Sequence, residues 1–89
     1  MAQIIVNPRQ MVAFAEELAR LKIEMQSWEA ALDRDMKGLK STWSDQRYLR
    51  FNRAVTEASV QLQAFYSRCN NYVEYLRRKA AAADRYLRG

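Results

Sequence analysis

The fold of this chain is decided by residues 38–46, GLKSTWSDQ, which interrupt an otherwise continuous helical pattern near its midpoint. Glycine, serine and threonine lower helix propensity just before Trp43, and Ser44 or Asp45 can cap the helix that follows. A bulky indole at such a break can fill the gap where two antiparallel helices diverge. The sequence therefore predicts a short turn over 41–45 that joins two antiparallel helices.

The composition predicts a single domain that is almost entirely helical. Nearly half of the 89 residues are hydrophobic, whereas the chain has only two glycines and one proline. A fold of many short strands needs far more turn residues than that. No stretch reaches the roughly 18 consecutive apolar residues of a membrane span. The segment MAQIIV at 1–6 lacks the charged and apolar regions of a cleaved signal peptide.

The residue types that carry most enzyme chemistry are scarce. The chain has no histidine and a single cysteine, Cys69, which excludes an intrachain disulfide and a cysteine or histidine metal site. No paired carboxylates, glycine-rich phosphate loop or activated nucleophile stands out. We therefore expect neither enzymatic activity nor a cofactor or metal, and we assign Cys69 to core packing.

Two long helices are predicted on either side of the turn. Asn7 can cap the first helix and Pro8 suits its first position, so this helix is expected over about 8–40. The β-branched residues before it predict an extended arm over 1–7 that docks on the helices. The second helix is expected over about 46–87, because its apolar periodicity continues to that point.

Apolar residues recur every three or four positions in both helices, which predicts one seam along each. In the first helix the seam is Met11, Phe14, Leu18, Leu21, Met25, Trp28, Leu32, Met36 and Leu39. In the second helix it is Tyr48, Phe51, Val55, Ala58, Leu62, Phe65, Cys69, Tyr72, Leu76, Ala80, Ala83 and Leu87. The two seams are expected to pack against each other in an antiparallel hairpin.

A lone hairpin of this kind would leave apolar surface uncovered. It is a thin rod with one internal seam, since each helix is about 50 to 60 Å long. Further apolar residues lie off the seam: Val12, Ala15, Ile23, Ala30, Ala31, Leu49, Val60, Tyr66, Val73 and Tyr75. A second hairpin is the natural cover, so we expect a four-helix bundle dimer. The residues assigned to the dimer or partner face are Met11, Phe14, Leu18, Met25, Trp28, Phe51, Leu62, Phe65 and Tyr72.

The short length, the capped first helix, the central Trp-x-x turn and the long second helix together resemble the Trp-X-Gly (WXG) family of small ESAT-like proteins. The likeness covers the whole chain. The family motif corresponds here to Trp43, Ser44 and Asp45, with aspartate in the place of glycine. Aspartate tolerates left-handed or capping conformations, so the turn is expected to persist.

The resemblance implies assembly and export rather than catalysis. Proteins of this family are antiparallel helical hairpins that pair as homodimers or heterodimers, and many are substrates of the type VII (ESX) secretion system. The implied partners are a similar hairpin and a secretion ATPase, and the implied route is a cytoplasmic stage followed by secretion without a cleaved signal peptide. The family's export signal, Tyr-x-x-x-Asp/Glu, is not matched at Tyr66, Tyr72 or Tyr75. Export beside a partner that carries the signal and an unassigned role both stay open.

The distribution of charged residues along the chain indicates an alternative function. Residues 1–42 carry six basic and six acidic side chains, whereas 43–89 carry nine basic and four acidic, so the net charge of +5 lies in the second half. The candidate contacts for an acidic partner are Arg77, Arg78, Lys79, Arg85 and Arg88. The alternative function is thus a basic helical module that binds nucleic acid or an anionic membrane surface. Helical spacing of the aromatic residues favours packing over base stacking, which argues against nucleic acid.

Overall fold

The computed structural model describes residues 7–43 and 45–88 as two long helices that fold back on each other. α1 spans Pro8–Leu39 and α2 spans Gln46–Arg88, and no strand occurs in this part of the chain. The predicted all-α hairpin is therefore confirmed. Residues 1–6 of the predicted arm and Ser44 of the predicted turn motif lie outside the described residues. Over the described residues, neither helix has a stretch long and apolar enough to cross a membrane.

The hairpin is a thin rod. Its Cα atoms extend over 65 × 25 × 15 Å, and their radius of gyration is 19.8 Å. A compact chain of this length has a radius of gyration of about 12 Å. Two helices alone therefore bury little of their surface against each other.

The start of α1 is fixed by a capping residue. Asn7 has an extended backbone, and its Oδ1 accepts a hydrogen bond from the backbone N–H of Gln10 at 3.2 Å. Pro8 occupies the first helical position, where its missing N–H costs nothing. The cap satisfies one of the donors that a helix start leaves without an intrahelical partner.

The end of α1 is closed by the turn and by α2. The Leu39 carbonyl accepts hydrogen bonds from the backbone N–H groups of Thr42, at 3.0 Å, and Trp43, at 2.7 Å. The Met36 carbonyl accepts the backbone N–H of Lys40 and the hydroxyl of Tyr48, each at 3.2 Å. These bonds satisfy carbonyls that the last helical turn would otherwise leave unpaired.

Asp45 is the cap of α2. Its Oδ1 accepts the backbone N–H of Tyr48 at 3.0 Å, and its carbonyl accepts the backbone N–H of Leu49 at 3.2 Å. No residue other than glycine has a positive φ in the described part of the chain. Asp45, which stands where the Trp-X-Gly motif has glycine, therefore acts by capping, not by a left-handed turn.

The interhelix core differs from the predicted seam at ten of its 21 positions. The buried apolar residues are Ala15, Met36, Tyr48, Tyr66, Cys69 and Ala80. Predicted seam residues that are instead exposed are Phe14, Leu21, Trp28, Leu32, Leu39, Phe51, Ala58, Phe65, Tyr72 and Leu87. The prediction was wrong for these residues, and also for Ala15 and Tyr66, which it placed off the seam. Cys69 lies in the core, as predicted.

The physical reason for the difference is a choice between two neighbouring rows. Met11, Leu18 and Met25 form a half-buried row that can pair with the row on either side of it. One neighbouring row begins at Phe14 and the other at Ala15. The row of Ala15 faces α2 because its alanine lets the helices approach closely and its polar members find partners there.

Candidate partner-binding face

One side of the hairpin carries two rows of exposed apolar side chains. This apolar face consists of Phe14, Leu21 and Trp28 on α1, and Phe51, Ala58, Phe65 and Tyr72 on α2. Members of each row are seven residues apart and therefore lie on the same side of their helix. Trp28 is 79% exposed and Tyr72 is 61% exposed. A row of large aromatic residues in water is typical of an interaction surface.

An open groove runs between the two rows of the apolar face. It has a volume of about 620 Å³ near the middle of the rod. Trp28 and Ala58 both line it, which places the α1 row and the α2 row on the same side of the hairpin. Half-buried Met25, Val55 and Leu62 also line the groove. The apolar face is therefore a concave strip, and the half-buried residues Met25, Val55 and Leu62 form its floor.

The opposite side of the hairpin is polar. Its groove, of about 590 Å³, is lined largely by amide, hydroxyl and carboxylate side chains. These are Gln26, Glu29, Asp33, Asn52, Thr56, Ser59 and Gln63, and we call this side the polar face. Side chains of this kind are satisfied by water and need no cover. Exposed apolar side chains also lie on this side, among them Val60 in the groove, at 67% exposure.

Glu29 links the two helices on the polar face. Its Oε2 accepts the hydroxyl of Tyr66 at 2.8 Å, and its Oε1 accepts the hydroxyl of Ser59. The hydrogen bond from Ser59, followed by that from Tyr66, lowers the pKa of Glu29 from its ordinary value. Burial, with the added effect of the Glu29 carboxylate, raises the pKa of Tyr66. These contacts fix how α1 and α2 align along the rod.

A second polar contact lies one heptad further from the turn. Lys22 Nζ donates to Asn70 Oδ1 at 2.7 Å. Lys22 is seven residues before Glu29, so both belong to the row that begins at Ala15. This row thus contributes hydrogen bonds between the helices, whereas the row of Phe14, Leu21 and Trp28 is exposed.

The turn presents the predicted tryptophan in a packed position. Trp43 is half-buried, and its ring meets that of Tyr48 edge-on, with centroids 5.5 Å apart and an interplanar angle of 74°. Tyr48 is buried, and its hydroxyl donates a hydrogen bond to the Met36 carbonyl. The aromatic pair closes the end of the rod, in keeping with the predicted gap-filling role.

The residues predicted for a partner face fall into two groups. Met11, Leu18, Met25 and Leu62 are half-buried between the helices. Phe14, Trp28, Phe51, Phe65 and Tyr72 are exposed on the apolar face. Their contact with a partner stays a prediction. The sequence-based assignment omitted Leu21 and Ala58, although their seven-residue spacing from Phe14 and Phe51 was a usable signal.

The five predicted basic contacts do not form one surface. An α-helix turns by about 100° per residue, so Arg77, Arg78 and Lys79 point in three directions. Arg77 and Arg88 line a groove with Arg9, while Arg88 Nη2 lies 3.2 Å from Asp84 Oδ2. Arg78 and Arg85 lie seven residues apart on another side of α2. Three arginines, Arg9, Arg77 and Arg88, thus share one groove, and the contact of the five predicted residues with an acidic partner stays a prediction.

No protein-family model matches the sequence, and no curated protein matches it. The hairpin is similar to crystal structures of the secreted protein EsxB from Bacillus anthracis str. Sterne. A single-residue variant of EsxB has a TM-score of 0.78 at 20% identity, with 94% of this chain and 97% of that chain covered. The wild-type protein has a TM-score of 0.77 at 21% identity, with 92% of this chain and 94% of that chain covered. The fold that the resemblance to the Trp-X-Gly family implies is thus confirmed.

Proposed function

We propose that this chain is a non-enzymatic interaction protein of the Trp-X-Gly type. It pairs with a second helical hairpin through its apolar face, which completes a four-helix bundle. In this paired form it is a substrate or an adaptor of a type VII secretion system.

The main support for the proposal is the side of each helix on which the apolar residues of the seven-residue repeats lie. In a four-helix bundle, each helix buries the stripe that points to the bundle axis, between its two neighbours. On α1 this stripe combines the half-buried row of Met11 with the exposed row of Phe14. The centre of this apolar stripe therefore points between α2 and the position that a helix of a second hairpin would occupy. The seam predicted from the sequence is the seam of a bundle.

The apolar face is large enough for a stable interface. The apolar face follows about 30 Å of α2, from Phe51 to Tyr72 at 1.5 Å per residue, across the 25 Å width of the hairpin. That area is close to the ~800 Å² that each partner buries in a standard complex. Fully burying a large apolar side chain contributes about 1.5 to 3 kcal/mol. Several such side chains are needed, because association costs about 4 to 15 kcal/mol before any contact is counted. The apolar face supplies six of them besides Ala58.

The likeness to a secreted protein supports export. EsxB of Bacillus anthracis str. Sterne is a secreted protein, and its structure matches this hairpin over nearly the whole length of both chains. The mismatch of the family's export signal at Tyr66, Tyr72 and Tyr75 favours passage beside a partner that carries it.

Export is tested with epitope-tagged protein in the source organism, with and without its FtsK/SpoIIIE-type membrane ATPase. We expect the protein in the culture medium only when the ATPase is present. A Trp28→Glu variant should stay in the cells, because it cannot pair, whereas the matched Ile23→Glu variant on the polar side should be exported. Release that does not depend on the ATPase, or equal retention of all forms, would remove the secretion proposal.

A further inference from the structure

The groove at the free end of the hairpin, opposite the turn, is lined by arginines from both helices. It lies between the start of α1 and the end of α2 and has a volume of about 470 Å³. Arg9 comes from α1, and Arg77 and Arg88 come from α2. All three arginines are exposed, so their guanidinium groups are accessible to a ligand. We call this site the arginine groove.

The positive charge of the polar side is concentrated in the arginine groove. Asp84 is the one acidic residue in its described lining, and it pairs with Arg88 at 3.2 Å. In the next groove toward the turn, the charges of Lys22 and Glu74 offset each other. The groove of the polar face, nearer the turn, contains two carboxylates. An anionic ligand is therefore attracted to the free end and repelled near the turn.

The spacing of the arginines suits an elongated ligand with several negative charges. Arg77 and Arg88 are eleven residues apart on one helix, so their Cα atoms are about 16 Å apart. A single carboxylate that pairs with one guanidinium group through two hydrogen bonds leaves the other arginine free. An extended peptide rises about 3.3 Å per residue, so about five of its residues span the distance. Because one exposed ion pair contributes little, binding needs several carboxylates on one chain.

The lining of the arginine groove favours a protein segment over nucleic acid or a membrane surface. Among its described residues are small apolar ones, Val12, Ala80 and Ala81, and no aromatic ring on which a base could stack. A membrane surface attracts basic residues that project toward it, whereas these arginines flank a groove between two helices. The planar guanidinium group matches the geometry of carboxylates. Acidic side chains of an extended segment therefore suit both the shape and the charge of the groove.

We propose that the arginine groove binds an extended acidic segment of a partner protein. Carboxylates of the segment pair with Arg9, Arg77 and Arg88, and its backbone runs over Ala80 and Ala81. The fold brings Arg9 to the two arginines of α2, although the three are far apart in the sequence.

This site goes beyond the proposed function, because it lies on the other side of the hairpin from the apolar face. Val12 is in the seven-residue row of Gln26 and Asp33, and Ala81 is in that of Val60, all of which line the groove of the polar face. The arginine groove therefore stays open when a second hairpin covers the apolar face. The protein can then hold one partner on each side.

The site is tested by the fluorescence anisotropy of a labelled glutamate peptide of about eight residues, which is long enough to pass all three arginines. At an ionic strength of about 0.15 M, the wild type should saturate at one peptide per chain. Arg9→Glu and Arg77→Glu should each weaken binding about tenfold or more. Arg78→Glu makes the same change of charge at the same end of α2 but lies outside the groove lining. This matched control should weaken binding less than about twofold, because salt screens distant charges.

A second pair of variants changes the shape of the groove at constant charge. Ala81→Phe narrows the groove and should weaken peptide binding, whereas Ala82→Phe, which is also exposed but outside the groove lining, should not. The helical circular dichroism should be the same in all variants.

Three results would overturn the inference. The first is no peptide binding at this ionic strength, and the second is an equal loss of affinity in Arg77→Glu and Arg78→Glu. The third is tighter binding of a thymidine oligonucleotide, or of vesicles of phosphatidylcholine and phosphatidylserine, than of the peptide. None of these results bears on the apolar face, whose pairing is measured separately by the mass of the particle with and without Trp28→Glu.

Discussion

The two faces of the hairpin use the same helical spacing for different purposes. On the polar face, the row of Ala15, Lys22 and Glu29 meets hydroxyl and amide groups of α2. On the apolar face, the row of Phe14, Leu21 and Trp28 is exposed among the described residues. One row fixes the hairpin, and the other is free for a partner. The comparison teaches that the most apolar stripe of a helix need not point at its nearest neighbour.

The difference between the two faces is tested most strongly by introducing a glutamate on each face in turn. Trp28→Glu should weaken dimerisation by about 2 kcal/mol or more, which is roughly thirtyfold, because the charge would be buried at the centre of the interface. Ile23→Glu, on the same helix and 64% exposed, should change it by no more than about 0.5 kcal/mol. Sedimentation equilibrium measures both. Equal effects of the two variants would remove the distinction between the faces.

The turn serves both faces, so its variants should act on the hairpin as a whole. Asp45→Ala removes the acceptor for the Tyr48 N–H and should cost about 1 kcal/mol. Asp45→Gly, which introduces the glycine of the Trp-X-Gly motif, should cost only a few tenths of that. Thermal unfolding followed by circular dichroism compares them. An alanine variant as stable as the glycine variant would show that Asp45 is not the effective cap.

Acid should loosen the polar face and leave the apolar face unchanged. The Ser59 and Tyr66 hydrogen bonds hold the pKa of Glu29 below its ordinary 4.5. A carboxyl group with a lowered pKa contributes stability that is full above the unfolded value and is lost as pH falls through the folded value. The wild type should therefore lose melting temperature as the pH falls below about 4.5, toward pH 3.

Glu29→Gln is the variant that isolates this effect. Its melting temperature should be lower than that of the wild type at neutral pH and should fall less steeply in acid. Its dimer affinity at neutral pH should match the wild type, since Ser59 and Tyr66 hold the Glu29 side chain against α2. A steeper fall in acid for Glu29→Gln would contradict the assigned role of the carboxylate.

The smallest effect is expected at the second polar contact. Asn70→Ala removes the acceptor for Lys22, but both side chains reach water, so stability should change by no more than about 0.5 kcal/mol. Denaturant titration resolves a change of that size only with replicate curves. A loss of more than about 1 kcal/mol would mean that this contact is a main determinant of the hairpin.

The sequence was sufficient for the fold but not for the pairing of rows. Turn chemistry at 38–46 and the seven-residue repeats predict two antiparallel helices, because both signals are local. Which row faces α2 depends on how closely the helices approach and on which polar groups meet, and neither is local. Phe14 and Trp28 have the greater hydrophobicity, yet Ala15 and Glu29 have the better fit.

The cluster around Glu29 shows why the polar contacts could not be predicted. Ser59 and Tyr66 meet Glu29 only because the turn sets the antiparallel alignment of α1 and α2. A one-residue shift in that alignment would move both hydroxyls by about 1.5 Å along the rod. The correct row was present in the sequence as Tyr48, Val55, Ser59, Leu62 and Tyr66, which are separated by steps of seven, four, three and four residues. The predicted seam instead included the more apolar row of Phe51, Ala58 and Phe65.

Sedimentation equilibrium of the purified chain at micromolar concentration tests the central claim most directly. If the apolar face binds a second hairpin of the same kind, the particle has twice the 10.5 kDa mass of the chain, and Trp28→Glu returns it to the single mass. A particle of 10.5 kDa whose mass is the same with and without Trp28 would contradict the account.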